Sequence, residues 1–388
     1  MKYKYQLILL GTLSENSKDI ESLFFDKVSE LKLPADAFII IDERNFSSDY
    51  KQNQPAFCMY FGDNKGDFNS LDELDILIKD ATPILPIFNN SFSAEIPKKL
   101  ENYNGQKYGA SKDNKIVNLA LESFGKLRHT RKVFISYKRE DSTSVAIQLY
   151  EALERNSFDV FLDTHSIKQG ELFQEELWHR MTDCDVIVML NTPHFMTSRW
   201  CKDELAEASA KQIGILQLIW PKHKIESISH ICEPLELKRG DFRRCNYSSK
   251  NTSKLKNKVV EQIVQSVESL RARNLAARQD NLITEFTNIA TKYGKSINLQ
   301  PERYLTENLN NTKRRVFIPA VGMPQSIDCN YWDEQKMKIK GFKVDSLHLI
   351  YDDIRIREKW LNHLAWLNKS LPVKTIKKQE FDRWLKSN

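Results

Sequence analysis

KVFISY, Lys132 to Tyr137, is a strand-length apolar run that stops at Ser136 and Tyr137 and passes directly into the charged stretch KRED, residues 138–141. Three more runs of the same kind follow: FDVFLD (158–163), DVIVML (185–190) and IGILQLIW (213–220). Between the first two lies STSVAIQLYEALERNS, in which Val145, Leu149 and Leu153 recur every fourth residue, the spacing of a helix with one buried stripe. The later intervals hold ELFQEELWHRM and SRWCKDELAEASAK. Continuous apolar strands alternating with helices predict a parallel sheet covered on both faces.

In such a sheet, ligands bind in the crevice beyond the carboxyl ends of the strands. Ser136, Tyr137, Asp163 and Asn191 each stand where an apolar run ends and are the residues this rule selects. Lys138 and Arg139 follow the first strand, where they could reach a pyrophosphate or simply face solvent.

The rhythm extends on both sides. QLILLGTL, AFIIID (37–42), AFCMYFG (56–62) and PILPIF (83–88) read as strands of a second α/β unit over residues 1–126, an old duplicate of the middle one in form, but without a polar cluster like SYKRED. The polar stretch NYSSKNTS (246–253) ends the middle unit at 130–247. Beyond it Leu255, Val259, Ile263, Val267 and Leu270 mark a helical connector over 252–295, and RRVFIPAVG, DSLHLIYD and REKWLNHLAWL predict a smaller α/β unit at 312–388.

A chain of 388 residues with 41% hydrophobic and 28% charged residues has the composition of a globular protein of two or three domains. Its apolar runs fall short of the ~18–20 residues of a membrane helix, and the short one in MKYKYQLILLGTL reads as a first strand, not a leader. Six scattered cysteines without a CxxC pair fit reduced thiols in a cytoplasm. The net charge of +6 is spread thinly, with no motif to suggest a nucleic-acid surface. Phosphate-loop, dinucleotide-fingerprint, HExxH and GxSxG motifs are all missing, and the eight histidines form no metal-like pair, so no metal is expected.

Taken together, VFISYKRED, FDVFLDTHSIKQGELFQEEL and CDVIVMLNTPHFMTSRWCKDELAEA resemble a Toll/interleukin receptor (TIR) domain of the bacterial kind, in order and in approximate spacing. The resemblance covers about residues 130–247 and implies a flavodoxin-like fold. Some TIR domains are assembly modules; others break the bond between nicotinamide and ribose in NAD+. The enzymatic type uses a glutamate on the helix after the third strand, which corresponds here to Glu204 in SRWCKDEL. The loop after the second strand corresponds to Thr164–Gly170 and helps to form the site or the contact between subunits.

The resemblance therefore implies an NAD+ nucleosidase in a cytoplasmic, self-associating protein of bacterial anti-phage defence or stress signalling. NAD+ is its substrate and no further cofactor is needed; a non-catalytic TIR scaffold is the alternative. Nicotinamide is a cationic leaving group, so the chemistry asks mainly for stabilisation of an oxocarbenium-like ribose, which one carboxylate can supply. Ser198 as an N-cap would place Trp200 in the first turn and Glu204 four residues on along the same face, where the helix dipole favours an ionised carboxylate. Glu204 is thus the expected catalytic residue, with Ser136, Tyr137, Arg139, Asp163, Ser198 and Trp200 around the substrate.

Overall fold

The computed structural model describes residues 4–52, 54–109, 113–127, 130–162, 173–195 (173–177 as backbone), 213–223, 232–300, 303–337, 339 and 341–388. The chain divides into two compact units, Met1–His129 and Thr130–Asn388.

In the first unit β1 (Tyr5–Gly11), β2 (Phe38–Ile41), β3 (Ala56–Phe61), β4 (Ile84–Phe88) and β5 (Gln106–Lys107) form a sheet in the order β2-β1-β3-β4-β5. Every pairing is parallel. Helices α1 (Glu15–Glu30), α2 (Phe46–Asp49), α3 (Leu71–Lys79), α4 (Phe92–Glu95) and α5 (Asn114–Ser123) alternate with the strands. All seven residues of β1 are buried, as a central parallel strand requires. Gly11 has φ +86° and its Cα faces the Phe61 carbonyl so closely that any Cβ would collide with it. This unit has no stretch like SYKRED in its sequence, but folding brings separate polar groups together. Thr12 donates to Asp63 (3.0 Å) at the sheet's carboxyl edge, and the Glu95 carboxylate accepts the backbone N–H groups of Asn89, Asn90 and Ser91 at 2.7, 2.7 and 2.9 Å. Burial pushes the Glu95 carboxyl up, but those hydrogen bonds outweigh it and hold the group below its ordinary value.

The second unit opens with β6 (Lys132–Ser136), α6 (Arg139–Arg155), β7 (Asp159–Leu162), α7 (Phe173–Asp183), β8 (Val186–Asn191), β9 (Gly214–Ile219) and β10 (Glu233–Glu236). The sheet runs β10-β9-β8-β6-β7 and is parallel throughout, the same order as in the first unit and that of a flavodoxin-like fold. Alternate residues feed two cores. Val133, Ile135, Val188, Leu190, Leu216 and Leu218 face α6, whose Val145, Leu149 and Leu153 are fully buried. Phe134, Phe161, Ile187, Met189 and Ile215 face the other way, with Met181 of α7 and Phe195.

A single 36-residue helix, α8 (Asn257–Lys292), follows. Leu255 lies before it, bridged to Phe242, while Val260, Ile263, Val264, Val267 and Leu270 complete the core on the α6 side. Its far end, with Leu282, Ile283, Phe286 and Ala290, belongs to another core. That core sits on a mixed sheet ordered β11-β12-β13-β14-β15: β11 (Ile297–Leu299), β12 (Leu305–Asn308), β13 (Lys313–Ala320), β14 (Lys343–Tyr351) and β15 (Lys374–Lys377). Pairing is antiparallel from β11 to β13 and parallel from β13 to β15. Helices α9 (Ser326–Lys336), α10 (Glu358–Ser370) and α11 (Phe381–Ser387) complete it.

Charged side chains lock α8 across the amino-terminal edge of the β6–β10 sheet. Arg271 donates to Asp185 at 3.0 Å with both side chains at 0% exposure, and Arg131 pairs with Glu268 beside them. Arg278 donates to the carbonyls of Thr182 and Cys184, both at 2.8 Å, at the end of α7, where a cation also meets the helix dipole. The carboxyl edge of the β11–β15 sheet meets α7 as well. Asp183 accepts the Met323 N–H (2.9 Å), His179 stacks on Trp360 (5.9 Å between ring centroids), and Arg355 lies over Trp178. Among the described residues no helix is long and apolar enough to cross a membrane.

Candidate active site

The strand order of the β6–β10 sheet reverses between β6 and β8, because the chain leaves β6 for β7 on one side and then crosses to β8 on the other. In an open parallel sheet such a reversal marks the ligand crevice, at the carboxyl ends of those two strands. Its rim is knit together. Lys138 donates to the carbonyl of His194 (3.1 Å), and Asp141 in the first turn of α6 accepts from the Thr192 hydroxyl (2.6 Å), with the His194 ring 3.4 Å from its other oxygen. The turn after β6 is thus tied to the turn after β8, and α6 breaks helical geometry at Ser142 (φ −142°) just beyond the tie.

Strand alternation separates two of the expected site residues. Ser136 lies on the α7 face with Phe134, whereas Tyr137 packs into the opposite core with Ile135. Both are buried. Arg139 begins α6 and its side chain is exposed. Asn191 ends β8 on the same face as Ser136, completely buried, with its backbone carbonyl accepting the Trp220 N–H (3.0 Å). Asp163, Ser198, Trp200, Glu204 and the Thr164–Gly170 loop lie outside the described residues.

Three rim residues escape a reading of strand ends. Asp141, Thr192 and His194 stand one to five residues past the strands, and only the pairing of β6 with β8 brings them together. Asp141 carried a signal in the charged KRED stretch, which charge alone assigns to solvent. Among the described residues no group of three or more His, Cys, Asp or Glu side chains could hold a metal ion.

Comparison with known proteins bears on this crevice. The TIR domain family model matches residues 133–254. A 2′ cyclic ADP-D-ribose synthase of Bacteroides thetaiotaomicron is 28% identical over 133 residues, 34% of this chain and 45% of that protein. A protein of Brachypodium distachyon named as a probable 2′ cyclic ADP-D-ribose synthase is 28% identical over 90 residues, 23% of this chain and 40% of that protein. The chain therefore spans less than half the length of these curated relatives. A solved tagatose-6-phosphate ketose/aldose isomerase of Escherichia coli aligns with 71% of this chain and 82% of its own at 12% identity, but its TM-score of 0.21 carries no argument. With strand order, crevice and family match in agreement, residues 133–254 of this chain are a TIR domain.

Proposed function

We propose that this TIR domain cleaves the nicotinamide–ribose bond of NAD+, releasing nicotinamide and either ADP-ribose or a cyclic ADP-ribose. The observation that carries the reading is the family match at 133–254 together with two relatives named as cyclic ADP-ribose synthases. Glu204 is the catalytic residue. As the C1′–N bond breaks, its carboxylate opposes the positive charge that develops on the ribose. Water attacking C1′ gives ADP-ribose, and a hydroxyl of the same molecule gives the cyclic product; either nucleophile releases its proton to solvent. The names of the relatives favour cyclisation. Ser136, Arg139, Asp163, Ser198 and Trp200 contribute to substrate binding, and Tyr137 supports the strand end from beneath. The biological setting that fits is a triggered NAD+-consuming response in bacterial anti-phage defence or stress signalling, with assembly through TIR–TIR contacts.

The test is incubation of concentrated protein with NAD+, followed by chromatographic separation of nicotinamide and the ADP-ribose isomers. Wild type releases nicotinamide and Glu204→Gln releases none. Equal release by the two would remove Glu204 from its role, and no release by wild type at any concentration would remove the activity.

A further inference from the structure

Buried polar side chains almost always find hydrogen-bond partners, and leaving one without costs about 1–3 kcal/mol per group. Asn191 departs from this rule entirely. It is 0% exposed, it ends the strand at the reversal point, and neither the oxygen nor the nitrogen of its carboxamide has a partner. On the neighbouring strand, Gln217 is 2% exposed and its amide oxygen is also unpartnered. In the β8–β9 register Met189 faces Gln217 and Asn191 faces Ile219, so the two amides stand on one face of the sheet, one pleat apart. Strand spacing and rise put their Cα atoms about 8 Å from each other, close enough for both side chains to reach a single small group. The surroundings on that face are apolar: Phe134, Met189, Phe195 and Ile215.

We propose that Asn191 and Gln217 form the subsite for the carboxamide of nicotinamide, an inference that rests on NAD+ being the substrate of this TIR domain. Asn191 offers one donor group and one acceptor; Gln217 offers a second acceptor. The complement is one acceptor joined to two N–H donors, which is the inventory of a primary carboxamide. Its oxygen accepts from Asn191 Nδ2, one N–H goes to Asn191 Oδ1, and the other goes to Gln217 Oε1. The adenine edge offers a similar pattern. In sequence Glu204 follows β8, the strand that Asn191 ends, by thirteen residues, and this favours the base at the scissile bond over the distant adenine. Nicotinate, by contrast, brings two acceptors and a negative charge against two amide oxygens. The pair therefore selects NAD+ over nicotinic acid adenine dinucleotide, as sites built to hydrogen-bond a substrate reject analogues that lack the group.

The experiment has a binding arm and a turnover arm. Saturation-transfer NMR with free nicotinamide and free nicotinate should show contact with the first only, and Asn191→Leu and Gln217→Met should each lose it. In turnover, kcat/KM for the nicotinic acid dinucleotide should fall on the order of 100-fold below that for NAD+, while nicotinamide hypoxanthine dinucleotide stays within about tenfold. Either variant should raise KM for NAD+ more than it lowers kcat and should narrow the preference. Thermal unfolding separates a structural role from this one: Asn191→Leu removes an unpaired buried amide and should not lower Tm. The inference is overturned if nicotinate and nicotinamide bind alike, if the hypoxanthine dinucleotide is the one rejected, or if Asn191→Leu lowers Tm with selectivity intact. Nicotinamide binding that depends on Asn191, without NAD+ cleavage, would instead retain the subsite and discard the activity.

Discussion

Replacing Arg271 by methionine should be among the most damaging single changes in this chain. The guanidinium is fully enclosed, donating through Nε to Asp185 at 3.0 Å and toward the Thr130 carbonyl at 3.5 Å. Methionine keeps most of the packing volume of the arginine stem but leaves Asp185 sealed from water, with the Lys132 N–H at 3.2 Å among its remaining contacts. Breaking a buried pair from one side costs about 3–5 kcal/mol, a factor of roughly 150 to 5,000 in the folded-to-unfolded ratio. Removing both charges is different. The double variant Arg271→Met, Asp185→Leu strands no charge and should come within about 1 kcal/mol of wild type, or above it. Urea unfolding of the full chain, followed by far-ultraviolet circular dichroism, gives all four corners of the cycle. A loss under about 1 kcal/mol for Arg271→Met, or a double variant as weak as the single one, would refute the view that burial makes this pair an all-or-none contact.

His348, buried in β14 between Phe317 and Trp384, has its pKa lowered from 6.5 to about 4, chiefly by burial, with Arg315 and Lys374 adding and Glu307 opposing. The unfolded chain binds this proton more readily, so the stabilisation is complete above about pH 6.5 and is lost toward pH 4, about 3 kcal/mol in all. His348→Phe should flatten that limb of the stability-versus-pH curve. Gly214→Ala should lower Tm, because a Cβ in β9 would overlap the Asn274 carboxamide of α8; removing that amide with Asn274→Ala should restore much of the loss. Specific NAD+-cleaving activity should rise with protein concentration alongside sedimentation coefficient, since closure of the site by a second TIR domain would exclude water from it; a flat profile for a strictly monomeric protein would contradict this.

What the sequence discloses depends on how local the determinant is. Strands β6, β8 and β9 are visible because a parallel strand buried on both faces must be apolar throughout. Strand β10, with its half-exposed EPLE, and the short antiparallel pair β11 and β12 carry no such run and are found only by their neighbours. In the TIR crevice, the strand-end rule reaches Ser136 and Asn191, yet Gln217 is hidden inside the apolar run IGILQLIW. The rim pairs Asp141 with residues 51 and 53 positions away. The edge of the first unit joins Thr12 to Asp63 across 51 positions, a proximity that no periodicity encodes.

Helix α8 is one uninterrupted rod of 36 residues, about 54 Å long, whose two ends are embedded in different cores. No break in helical geometry interrupts it between the two cores. The β11–β15 sheet is thereby tied directly to the floor of the TIR sheet, and the Asp183 and His179 contacts add a second, shorter tie through α7. The two sheets share one continuous structural element where a flexible linker could have stood.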